Sequence, residues 1–158
     1  MPLEKRLVAA DAFWRDDSAS GGIDAQKAEV IVSIARKLNF RPKSVQALST
    51  ERRAKHLAQM GDVSDLVATR ALIAYHLAAQ RPMMAAFLDA VGIAHDSGVI
   101  TAEEVPAPDP SRLAAGVAAL RASFPADDVT LYLNTLVAID GDTWGKIEVG
   151  AEQSASTG

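Results

Sequence analysis

The chain contains no cysteine, and that one absence removes disulfides, thiolate catalysis, iron–sulfur clusters and cysteine-ligated zinc together. Aromatic residues make up only 5% of the 158 positions. β-Branched residues rarely alternate with polar ones, so no segment longer than a few residues has the two-residue period of a half-buried strand. No window approaches the roughly 20 apolar residues that a membrane-crossing helix needs. The opening stretch, MPLEKRLVAADAFWRDD, carries charges inside its first apolar run, unlike the uncharged centre of an export signal. The sequence therefore predicts a cytoplasmic chain without membrane contact. Also missing are the phosphate loop GxxxxGKS or GKT, the nucleophile elbow GxSxG, the zinc motif HExxH and a glycine-rich dinucleotide turn. With these gone, the well-marked routes to catalysis are absent and nothing calls for a cofactor.

What is present favours helix. Hydrophobic residues make up 49% of the chain, and alanine, the best helix former, supplies an unusually large part of them. The length suits one domain able to bury a continuous core without staples. The expectation is an all-α fold, a compact bundle of about seven helices in a single domain over 1–149, followed by a disordered polar tail at 150–158.

Periodicity and end signals divide the chain. A first helix is expected from about Leu3 to Asp16, with Leu3, Leu7, Ala10 and Trp14 on one face, ended by SASGG. Asp24 caps a second, striped by Ile31, Ile34, Ala35 and Leu38 and closed by Pro42. A short turn over Lys43 to Leu48 and a helix capped by Ser49 or Thr50 follow, the latter running through Met60 to a stop at Gly61. Asp62 then caps a helix over 63–80 whose apolar residues cover most of its circumference. Such a helix belongs in the middle of a bundle, with Leu66 and Ile73 inaccessible to water. Pro82 opens the next, which stops at Gly92. Ile93 to Pro110 reads as an irregular connector; Asp109 and Pro110 then start a helix bearing Leu113, Val117, Leu120 and Phe124. Pro125 starts the last, with Val129, Tyr132, Leu133, Leu136 and Ile139 as its packing face and Gly141 as its end.

Charge is segregated along the chain. Arg36, Lys37, Arg41, Lys43, Arg52, Arg53 and Lys55 form a run of seven cations holding one acid, whereas from Pro82 onward three basic residues face eleven acidic ones. So many cations without partners are too costly to bury, and a positive surface patch is expected. Two short helices joined near Ser49 superficially suggest a nucleic-acid-binding turn, yet the chain as a whole is acidic, with a pI of 5.3, opposite to the usual footprint. A protein partner or a second copy of the chain is expected ahead of nucleic acid.

Three other groups of residues bear on chemistry. His56, His76 and His95 lie on separate elements, and no pair has the i, i+4 spacing of two ligands on one helical face, so no metal site is expected. Two stretches resemble pieces of an EF-hand calcium loop. In IDGDTWGKIEVGAE, Asp140, Asp142, Gly145 and Ile147 fit, but Trp144 occupies a ligand position and Ala151 replaces the closing glutamate. In IAHDSGVITAEE, Gly98, Ile100 and Glu104 fit, but Ile93 and His95 stand where acids belong. Neither keeps a full oxygen cage. Finally, Trp14, Trp144, Tyr75, Tyr132, Met83 and Met84 are residues of core or pocket type. The leading expectation is a non-enzymatic helical interaction module, acting by self-association or on a protein partner. The competing one is an enzyme or small-ligand binder with a pocket between helices near Arg70, Tyr75 and His76.

Overall fold

The computed structural model describes residues 1–16 and 23–147; the SASGG break and the tail expected at 150–158 lie outside the described residues. Among the described residues the fold is all-α, with nine helices and one two-stranded hairpin. The chain divides into two compact units, Met1–Ala79 and Gln80–Gly158, and each has its own apolar cluster. No helix among the described residues is long and apolar enough to cross a membrane.

The first unit holds α1 (Leu3–Arg15), α2 (Ala25–Leu38), α3 (Pro42–Gln46), α4 (Thr50–Ala58) and α5 (Asp65–Ala79). Helix α1 packs on both α4 and α5, because Ala9, Ala10, Phe13 and Trp14 give it a broad buried face. Leu3, expected on that face, is exposed at the helix start. Asp24 caps α2 by accepting the Lys27 amide at 3.0 Å. Asn39, left-handed at φ 55°, ends that helix, while Pro42 opens α3. The stop expected at Pro42 thus comes three residues earlier, where an αL residue closes the last turn.

The helix expected over 63–80 departs from its reading in two ways. Its cap is Ser64, whose hydroxyl accepts the Val67 amide at 3.3 Å, so the helix begins at Asp65 and Asp62 lies before it. It is also not buried all round. Leu66, expected to be inaccessible, is 69% exposed, and Ile73 is only half-buried. Within its unit α5 packs on α1 and touches α2, and two neighbours cover only part of a helical circumference. Val67 enters the apolar cluster with Ala71 packed against it, leaving the side bearing Leu66 outward.

The second unit holds α6 (Arg81–Val91), β1 (His95–Asp96), β2 (Val99–Ile100), α7 (Pro110–Ser123), α8 (Ala126–Ile139) and α9 (Gly141–Trp144). The connector expected from Ile93 contains the hairpin, in which His95 pairs with Ile100 and Asp96 with Val99. Its turn residues Ser97 and Gly98 both have positive φ, the geometry that matches strand twist. Gly116 lets α7 approach α6 closely, since a Cβ there would lie 2.9 Å from Val91 Cγ1 and 3.0 Å from the Phe87 ring. Around that contact Phe87 meets Tyr132 edge-on at 5.8 Å and Trp144 at 5.8 Å. Helix α8 ends at Ile139, just before the glycine expected as its stop, and Gly141 also opens a further short helix, α9, because Asp140 accepts the Asp142 and Thr143 amides and caps that turn.

Candidate functional site

The basic run falls on consecutive elements of the first unit. Arg36 and Lys37 lie in the last turn of α2, where cations complement the negative end of the helix dipole. Asn39 then turns the chain, and the Phe40 amide bonds back to the Ala35 carbonyl at 2.8 Å. That turn leaves the Phe40 side chain 50% exposed, between the two cations before it and Arg41 and Lys43 after it. Helix α3 packs on α2, which also contacts α4, and α4 adds Arg52 and Lys55. Arg36, Lys37, Arg41, Lys43, Arg52 and Lys55 are all exposed. Lys55 lies 3.5 Å from Glu51. The side chains of Arg36, Lys37, Arg41, Lys43 and Arg52 make no ion pair among the described residues.

Arg53, expected in the same patch, is half-buried. Its guanidinium stacks 4.8 Å over the Trp14 ring, because the position faces α1. Aromatic stacking offers a cation a desolvated environment without a counter-ion, and nothing local in the sequence marks that pairing.

Arg70, Tyr75 and His76 do not form one site. Six helical positions set Arg70 and His76 about 120° apart around the axis. Arg70 binds Asp24 through Nη1 at 2.6 Å and Asp16 through Nε at 3.2 Å, and Nη1 also donates to Gln26 Oε1 at 2.9 Å. Beneath it lies the Phe13 ring at 5.2 Å. The hydrogen bond from Arg70 is the main reason the Asp24 carboxyl is lowered from 3.8 to about 2. Lys27, itself buried, completes the cluster by donating Nζ to the Asp16 carbonyl at 2.7 Å. Arg70 thus ties the end of α1 and the start of α2 to α5. His76 is buried with its Nδ1 2.8 Å from the Leu72 carbonyl, so that nitrogen carries the proton and donates. Tyr75 packs on its ring edge-to-face at 5.1 Å.

The other candidate residues also have structural roles. Gly98 N–H donates to His95 Nδ1 at 3.1 Å, so His95 Nε2 holds the proton given to Asp89 at 2.6 Å. These bonds pin the hairpin to α6. No group of three metal-ligating side chains gathers among the described residues. Trp14, Met83, Tyr132 and Trp144 are buried in the two apolar clusters, where burial pushes the Tyr132 hydroxyl above its usual range.

A second surface feature had no signal in the sequence reading. An open groove of about 330 Å³ runs between α1 and α5, lined by Val8, Ala12, Ile73, Ala74, Leu77 and Ala78. Asp11 and Arg15, paired at 2.8 Å, lie along it. The chain matches no protein-family model, no curated protein and no solved structure.

Proposed function

We propose that the chain is a non-enzymatic helical interaction module whose basic face binds an acidic protein surface. The observation that supports it is the set of five exposed cations, Arg36, Lys37, Arg41, Lys43 and Arg52, with no ion pair among the described residues and with exposed Phe40 among them. Like charges held on adjacent elements repel one another, and an anionic partner relieves that repulsion while steering its own approach. Phe40 adds the aromatic contact typical of an interface centre. An acidic protein suits this surface better than a nucleic acid. Met1–Ala79 carries 12 basic and 9 acidic residues, but Gln80–Gly158 carries 4 basic and 11 acidic ones. A tethered acidic unit repels any polyanion, but it weakens a phosphate backbone, whose affinity comes from neutralising many charges at once, more than a protein whose acids form one local patch.

The test is fluorescence anisotropy with a labelled glutamate-rich peptide and a single-stranded DNA of matched length, each at low and at physiological salt. The peptide binds in a salt-sensitive manner, Arg36→Glu with Arg41→Glu abolishes binding, and Phe40→Ala weakens it. Tighter binding of the DNA, lost in the same double variant, would replace this reading with a nucleic-acid one. Binding of neither probe at low salt would overturn it.

A further inference from the structure

We infer that the groove between α1 and α5 is a two-fold contact between copies of this chain, distinct from the basic face and independent of it. Its floor is made of small residues, Ala12, Ala74 and Ala78, which let another backbone come close. Beside the floor stands an apolar ridge on α5. Leu66, Ile73 and Leu77 are separated by seven and four positions, so all three fall within about 40° of one another around the helix. Ile73 and Leu77 are half-buried walls of the groove, and Leu66 continues their line fully outward, 69% exposed. A ridge of large residues next to a floor of small ones is complementary to a second copy of itself, which is what a two-fold interface requires.

The charges along the groove point to the same occupant. The charged residues of its lining are Asp11, Arg15 and Asp16; Asp16 is held by Arg70 at 3.2 Å, while Asp11 and Arg15, four positions apart with opposite signs, bind each other at 2.8 Å. When two copies of α1 cross antiparallel with the two-fold axis level with residue 13, one position beyond Ala12, Asp11 of each comes beside Arg15 of the other. The pair is then satisfied between copies as well as within them. A margin of one sign would instead repel its symmetry mate.

The absence of cysteine makes the test direct, because a single introduced thiol reports one position. In Ala12→Cys, mild oxidation cross-links two copies, whereas Ala118→Cys, at an exposed position of α7, stays uncross-linked at the same concentration. Light scattering of the unaltered chain shows a concentration-dependent dimer. Leu66→Lys raises its dissociation constant by at least about tenfold, the loss expected on placing a charge in an apolar contact, and Leu66 is exposed enough for the fold to tolerate it. Arg36→Glu with Arg41→Glu leaves the dimer unchanged, so failure of the basic face and failure of the groove are told apart. A monomer at every concentration would overturn the inference. So would a dimer indifferent to Leu66→Lys, or a monomer in which the Ala12→Cys thiol is shielded from maleimide because something within the chain covers the groove.

Discussion

Replacing Arg70 with methionine keeps most of the side-chain volume but removes the cation that joins Asp16, Asp24 and Gln26. Arg70 and Asp24 have side chains only 15% and 18% exposed, so the carboxylates left behind are poorly compensated by water. Lowering Asp24 from 3.8 to about 2 corresponds to at most about 2.5 kcal/mol at 1.36 kcal/mol per pKa unit. Solvent at the edge of the cluster screens part of this, and Lys27, through its amide and its charge, supplies another part, which leaves about 1–2 kcal/mol for the pair. The sign is definite. Asp24 titrates lower in the folded state, so its contribution is complete above pH 3.8 and disappears as pH falls through about 2. The two tryptophans, Trp14 and Trp144, fall one in each unit, so a Trp144→Phe background leaves Trp14 fluorescence reporting on Met1–Ala79 alone. Urea titrations in that background should show Arg70→Met less stable by about 1–2 kcal/mol at pH 7, with the difference shrinking towards pH 2. A variant equal to its parent at pH 7, or one whose deficit is the same at pH 7 and pH 2, would refute the role assigned to this cluster.

Truncations separate the exposed side of α5 from the true cores. Leu66→Ala should change stability by less than about 0.5 kcal/mol, while Leu133→Ala, at a fully buried position of α8, should cost about 2–5 kcal/mol through lost burial and a cavity; chemical denaturation of the two variants checks the contrast. Gly116→Ala gains about 1 kcal/mol of helix propensity but sets a methyl 2.9 Å from Val91 Cγ1 and 3.0 Å from the Phe87 ring. Both neighbours are buried, and overpacking of about 1–3 kcal/mol should dominate. A rise in the thermal midpoint of Gly116→Ala would show that α6 and α7 can move apart at little cost.

Much of the fold was legible because the signals that encode it are local. Asp24, Ser49 and Asp109 each accept an amide three residues ahead, and Gly92 ends α6 in the left-handed conformation. All four are bonds or torsions within one turn. Where two residues could serve equally, the local code ran out. Asp62 and Ser64 are both good caps, and the choice coincides with a contact from 35 residues away, the Ser64 hydroxyl bonding Glu29 Oε2 at 3.2 Å. The hairpin at His95 is too short for an alternating pattern, and it is held by side-chain bonds to His95 that no periodicity displays.

By itself, then, the sequence determined that the chain is helical, where most helices start and stop, and that Arg36, Lys37, Arg41, Lys43, Arg52 and Lys55 stay in water. Each follows from propensity, capping or the cost of burying a lone charge, which act within a few residues or on one residue at a time. Only the tertiary structure decided which side of α5 is covered, that Arg53 lies on Trp14, and that Arg70 is tied to Asp16 and Asp24. Those outcomes depend on which helix faces meet, and a face that is apolar all round, as on α5, does not specify its neighbour. A cation likewise reads the same in the sequence whether its partner is water, an aromatic ring or a carboxylate 54 positions away.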